Sequence, residues 1–125
     1  MTTALIIEDN ENNLELIRLI LEQAHYKTRF AMTGLEGVQQ VLSIPPDFVI
    51  LDIQLPDING LEVLKRIRAS NVGKNIPIFA MTSYAMSGDK EKLLAAGCTA
   101  YIEEPIDTML VIGQIQAALS KQSMP

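Results

Sequence analysis

The stretch Phe48-Val49-Ile50-Leu51-Asp52-Ile53-Gln54-Leu55-Pro56-Asp57-Ile58-Asn59-Gly60-Leu61 carries the fold in miniature. Four consecutive apolar residues predict a strand covered on both faces. Asp52 ends the run and a Pro-containing turn follows. Leu61, Leu64 and Ile67 then recur at helical spacing after Asn59-Gly60. Working outward, Ala4-Leu5-Ile6-Ile7 and Ile76-Pro77-Ile78-Phe79-Ala80-Met81 are aliphatic runs of the same kind. Lys27-Thr28-Arg29-Phe30-Ala31 alternates polar and apolar and predicts an edge strand, and Ala100-Tyr101-Ile102 is a short fifth. Between them lie helical patterns. Leu14, Ile17, Leu21 and Ala24 share one face after Asn12 or Asn13, either one a plausible N-cap. Gly34 to Leu42 is a short second helix. Leu93, Leu94 and Ala96 precede Gly97, a helix stop, and Ile112, Ile115 and Leu119 line a last helix to about Lys121.

The order is β-α repeated five times, which predicts an α/β fold with a parallel sheet, right-handed crossovers and helices on both faces. The chain's 125 residues suit one domain. Apolar residues at 48% suffice for a packed interior. No apolar run approaches the roughly 18 residues of a membrane span. The start Met1-Thr2-Thr3-Ala4-Leu5 lacks the features of a signal peptide. A single cysteine forms neither an internal disulfide nor a zinc cluster and fits a reducing cytoplasm. A net charge of −5 argues against nonspecific nucleic-acid binding, which needs a basic face.

Sites in such sheets form beyond the carboxyl ends of the strands, where strand order switches. Glu8 and Asp9 follow the first strand, Asp52 the third, Thr82 and Ser83 the fourth, and Glu103, Glu104 and Pro105 the fifth. Taken singly, each is an ordinary loop or turn residue. Together they would put three carboxylates (Glu8, Asp9 and Asp52) in one small space, where like charges raise each other's pKa or attract a cation. Hard oxygen ligands suit Mg²⁺, and an aspartate beside bound Mg²⁺ can act as a nucleophile toward phosphorus. Thr82 would then hydrogen-bond a phosphoryl oxygen on Asp52.

The sequence resembles a response-regulator receiver domain of the CheY-like kind over roughly Thr3 to Ser120, within a single domain spanning 1–125. The resemblance rests on Ile6-Ile7-Glu8-Asp9-Asn10, on the Asp-x-x-x-Pro-x-x-x-Gly stretch from Asp52 to Gly60, on Ala80-Met81-Thr82-Ser83, and on Ala95-Ala96-Gly97-Cys98-Thr99-Ala100-Tyr101-Ile102. The segment Ala85-Met86-Ser87-Gly88-Asp89 is similar to receivers of hybrid kinases and small single-domain regulators. The resemblance implies a (βα)5 doubly wound, flavodoxin-like three-layer sandwich with strand order 2-1-3-4-5. It implies Asp52 as phosphoacceptor, with Mg²⁺ held by Asp9, by Asp52, by the Gln54 backbone carbonyl and, through water, by Glu8. Thr82 corresponds to the switch hydroxyl, Tyr101 to the aromatic residue that moves with it, and Pro105 to a proline preceded by a cis peptide bond. The implied donor is a phosphohistidine on a histidine kinase or phosphotransfer protein. The implied output is protein docking on the face around helix four, strand five and helix five, where receivers also form homodimers. The chain is expected to assist its own phosphorylation and dephosphorylation rather than to be an enzyme with a separate substrate.

One position departs from the pattern. The family places a lysine immediately before the proline, and this chain has Glu104. Two unit charges about 4 Å apart interact by roughly 1 kcal/mol in water and about 4 kcal/mol at an effective dielectric of 20. Three outcomes are open: Glu104 turns to solvent, Glu104 binds metal, or the domain works as a phosphorylation-independent interaction module. A partner's arginine or lysine completing the site is the plainer variant. Asp57 is expected to shape the turn, Cys98 and Met81 to be core, His25 to lie on the surface, and Tyr84 to face a partner.

Overall fold

The computed structural model describes residues 2–82, 87–104 and 106–123, with backbone alone for 87–90 and 121–123. Five strands alternate with five helices: β1 (Thr3–Ile7), α1 (Glu11–Gln23), β2 (Lys27–Ala31), α2 (Gly34–Ser43), β3 (Phe48–Asp52), α3 (Gly60–Ala69), β4 (Ile78–Thr82), α4 (Ser87–Ala95), β5 (Ala100–Glu103) and α5 (Thr108–Ser123). The strands form one parallel sheet in the order β2-β1-β3-β4-β5. This is the expected flavodoxin-like architecture, with β2 at an edge as its alternating sequence requires.

The unbroken apolar strands follow from the sheet being covered twice. Ala4, Ile6, Phe48, Ile50, Phe79 and Met81 pack with Leu14, Ile17 and Leu21 of α1 and Val111 and Ile115 of α5. Their strand neighbours Leu5, Ile7, Val49, Leu51, Ile78 and Ala80 pack with residues of α2, α3 and α4, including Val41, Leu64 and Leu93. Successive side chains point to opposite faces, so both must be apolar. Tyr26, Phe48 and Phe79 stack edge to face, with centroids 5.2 and 5.9 Å apart. Cys98 and Met81 are core, as expected.

Several strand and helix ends shift by one residue from the sequence reading, and three boundaries differ with a visible consequence. The N-cap of α1 is Asn10, not Asn12 or Asn13: its side chain accepts from the Asn13 amide at 3.0 Å, and its carbonyl accepts from the Leu14 amide. β4 begins at Ile78 rather than Ile76, because the Arg68 guanidinium claims the Ile76 carbonyl at 2.6 Å. α5 runs two residues beyond Lys121, to Ser123. The remaining helix starts fit the sequence. Thr33 and Asn59 cap α2 and α3 by accepting from the amides of Glu36 and Glu62.

α1 and α4 both end in the same motif. At α4 the Cys98 amide reaches the Leu93 carbonyl and the Gly97 amide the Leu94 carbonyl, with Gly97 at φ 109°. At α1 the pairs are Tyr26 to Leu21 and His25 to Glu22, and the left-handed residue is exposed His25 at φ 70°. A side chain there costs about 1 kcal/mol. His25→Gly is expected to stabilise the protein by up to that amount, read as a rise in denaturation midpoint.

Asp57 does more than shape a turn. Its carboxylate accepts from the Gly34 and Leu35 amides at 2.8 and 2.9 Å, tying the β3–α3 loop to the first turn of α2. The Leu35 amide, and then that of Gly34, hold its pKa down to about 2, against an ordinary 3.8. Stability from a lowered carboxyl is present above the ordinary value and lost as pH falls through the folded one. Asp57→Ala is therefore expected to lower the thermal midpoint at neutral pH, and the gap should close as acid titrations approach pH 2.

Candidate functional site

The pocket sits at the carboxyl ends of β1, β3 and β4, beside the point where strand order reverses. Strand register builds it. Ile7 pairs with Leu51, so the next residues, Glu8 and Asp52, emerge side by side. Asp52 pairs with Met81, so Thr82 lies one residue further along the same rim. The ladder continues past β5, with the Glu104 amide donating to the Thr82 carbonyl at 3.0 Å. Glu8 is likewise pinned, its amide donating to the Ala31 carbonyl at 3.0 Å.

One oxygen each of Glu8, Asp9 and Asp52 lie within 4.8 Å of one another. They open into a cavity of about 260 Å³ that Thr82, Gln54 and Glu104 also line. Glu8 is buried, Asp52 nearly so, and Asp9 exposed. The Gln54 amide donates to Asp52 Oδ1 at 3.1 Å and the Asn10 amide to Glu8 Oε2 at 3.3 Å. Glu8 Oε1 is buried without a hydrogen-bond partner. Burial pushes the Glu8 pKa up to about 8, helped by the neighbouring Asp52 carboxyl. An orphaned carboxylate oxygen, two neighbouring acids and an all-oxygen lining fit a hard divalent cation such as Mg²⁺.

The β3–α3 loop is held under Asp52 by close backbone contact. The Gly60 amide donates to the Ile53 carbonyl at 2.8 Å. A Cβ at Gly60 would stand 2.6 Å from Ile53 Cα and 3.0 Å from the Asp52 carbonyl oxygen. That contact is the physical reason for glycine eight residues after the aspartate.

Glu8, Asp9, Asp52, Gln54 and Thr82 are thus gathered as expected. Glu104 does not turn fully to solvent: it is half-buried and lines the cavity, and its pKa is raised by burial and then by Asp52. Tyr101 lies apart from the acids. It is half-buried and lines a different groove, of about 590 Å³, with Leu94 of α4, Ile102 of β5 and Leu110 and Val111 of α5. Pro105, with the expected cis bond, and Ser83 and Tyr84 lie outside the described residues.

Two lining residues escaped the sequence reading, Asn10 and Asn13. Their signal was available: one directly follows the acid pair and the other sits three residues on, which brings both to the first turn of α1. Arg68 was missed as well. Its guanidinium donates to the carbonyls of Gly97, Gly73 and Ile76 at 2.6–2.8 Å, bracing the ends of α4 and β4. Nothing in its local sequence distinguishes it from a solvent-facing arginine.

The profile of the family described as response regulator receiver domain matches residues 4–116. The polar-differentiation response regulator DivK of Brucella ovis is 38% identical over 117 residues, covering 94% of this chain and 95% of that protein. Among solved structures, a response regulator of Chloroflexus aurantiacus superposes with a TM-score of 0.91 at 30% identity, covering 95% of this chain and 98% of that one. The receiver domain of a Pseudomonas aeruginosa sensor histidine kinase, solved with a magnesium ion coordinated in its active-site cleft, gives 0.89 at 28% identity with the same coverage. A CheY-like receiver of Methanospirillum hungatei gives 0.91 at 27% identity, covering 98% of this chain and 97% of that one. With its acid rim, its strand order and these relatives, the chain belongs to the response regulator receiver family of two-component signalling.

Proposed function

We propose that this receiver accepts a phosphoryl group on Asp52 from a phosphohistidine of a histidine kinase or phosphotransfer protein and signals by docking to another protein. The observation that carries the reading is the convergence of Glu8, Asp9 and Asp52 within 4.8 Å in the cavity that Thr82 lines from the next strand. An Asp52 carboxylate oxygen attacks phosphorus, the bond to the donor imidazole breaks, and its electron pair returns to that ring. Mg²⁺, when held there, would supply positive charge to offset that on the transferring group. Asp9, Asp52 and the Gln54 carbonyl would hold it directly and Glu8 through water, consistent with the orphaned Glu8 oxygen. The likeness to a receiver solved with magnesium in its cleft supports that assignment.

Thr82 is the switch hydroxyl in this reading. It shares a parallel ladder with β5, where Tyr101 opposes Ala80. Movement of Thr82 toward a phosphoryl group therefore has a short route to the groove between α4 and α5. Leu94 and Leu110, which line that groove, expose 49% and 63% of their surface, and Met109 of α5 exposes 86%. Output proteins dock there, and a homodimer would use the same face. Phosphorylation biases two states of it, limited by the differential contacts the phosphoryl group makes.

The chain acts on itself rather than on a separate substrate, and its setting is cytoplasmic. Among the described residues no helix is long and apolar enough to cross a membrane. The comparisons lend nothing to a purely phosphorylation-independent module.

Incubation with a small phosphodonor and Mg²⁺, followed by intact mass, is expected to show gain of one phosphoryl group in the wild type and in Thr82→Ala. Asp52→Asn should show none. A gain that persists in Asp52→Asn would overturn the acceptor assignment. Thr82→Ala should keep the modification but lose the phosphorylation-dependent change in partner affinity.

A further inference from the structure

Glu104 is the one carboxylate of the pocket that this reading leaves without a role. Among the described residues the pocket lining holds four acids, Glu8, Asp9, Asp52 and Glu104, together with Asn10, Asn13, Gln54 and Thr82, and no basic side chain. Among the described residues no ion pair reaches Glu104. Glu104 and Glu8 also line an adjoining cavity of about 190 Å³ that runs along α1 past Leu16 and Ile17. Glu104 therefore stands at the junction of the two cavities, on the side of the acid pocket facing α1. Its backbone is held there by the hydrogen bond to the Thr82 carbonyl.

A second observation points to an ion. Glu8 is 1% exposed, lines this pocket and has a buried oxygen with no hydrogen-bond partner. A buried acceptor of this kind needs a donor or a cation, and the described lining residues supply no cationic side chain. Each described side chain lining the acid pocket offers oxygen, and none of them is sulfur or imidazole. Such a set selects hard divalent ions, and its number of oxygens suits the larger coordination shell of Ca²⁺ as well as the partly hydrated shell of Mg²⁺.

We propose that Glu104 is a cation-recruiting carboxylate, which joins Glu8, Asp9 and Asp52 in a four-acid site that holds Mg²⁺ more tightly than three acids alone and also admits Ca²⁺. This rests on the acid trio being the cation site, as in the proposed function. Glu104 lies outside the group of oxygens within 4.8 Å, so it acts from the rim, directly on a large ion or through a water of a small one. A divalent ion and a carboxylate about 6 Å apart, even at the dielectric of water, attract by enough to change affinity roughly tenfold.

Calorimetric titration of the whole chain with MgCl₂ and with CaCl₂, at about 0.15 M ionic strength, tests this. Wild type, Glu104→Gln, Glu104→Lys and Asp9→Asn are compared, each first shown to be folded by circular dichroism. The expected result is that both ions bind wild type, that Glu104→Gln weakens each roughly tenfold, and that Glu104→Lys weakens each further. Asp9→Asn should lose binding. If Glu104→Gln binds both ions within about twofold of wild type while Asp9→Asn does not bind, the role of Glu104 is overturned and the acid trio stands. If wild type binds neither ion, both readings fall. Glu104→Gln preserves size and polarity, so its result does not depend on how well the lysine variant is tolerated.

Discussion

A parallel sheet buried on both faces has room for polar chemistry only at its ends. The interior residues of β1, β3 and β4 are essentially inaccessible, and each faces one apolar layer or the other. A charged group anywhere along them would cost far more than one hydrogen bond repays. Acids are therefore confined to the first positions past the carboxyl ends. Strand pairing, which must be in register to bury those faces, brings them together there. The chemistry of this receiver is in that sense a by-product of how its core is closed.

Gathering acids has a cost that the rest of the rim is built to contain. Glu8 is held by the backbone of β2, Asp52 is braced by the Gln54 amide, and the loop carrying both Gln54 and Gly60 is pressed against Ile53. Asp57 then anchors that loop to the N-terminus of α2, where two backbone amides satisfy its carboxylate. Two acids five residues apart thus have different surroundings. Asp57 meets two amides of α2 and stays ionised, whereas Asp52 faces Glu8, whose pKa is raised by burial and then by Asp52. Crowded carboxylates relax by taking up a proton or a cation, and the unpartnered oxygen of Glu8 leaves space for the latter.

Glu104 gives the rim its individual character. Its carboxyl adds to those of Glu8, Asp9 and Asp52 along the same cavity. Burial, and then the Asp52 charge, raise the pKa of Glu104, which lines the same cavity. The groove that holds Tyr101 lies on the other side of β5, so the acid pocket and the exposed apolar face of α4 and α5 are separate surfaces sharing one strand. The proposed switching relies on that separation, with charge received at one surface and a partner docked at the other.

The amino-acid sequence by itself determined the five β-α units, the two-sided burial of the central strands, and the placement of Glu8, Asp9, Asp52 and Thr82 at strand ends. These follow from local periodicity, since an apolar run must be buried and a polar residue ending it must lie at the rim. It also showed Glu104 out of place, by the residues around it. Only the tertiary structure decided what joins residues far apart in the chain: Asp57 on the amides of α2, Arg68 across three carbonyls, Glu104 turned toward the acids, and Tyr101 turned away from them. The capping of α1 by Asn10 and the left-handed His25 are local but equally hidden, because which asparagine caps a helix and where the helix stops depend on how it docks against the sheet. Periodicity reports which face is buried. It carries no information about which distant carbonyl, amide or carboxylate waits on the other side.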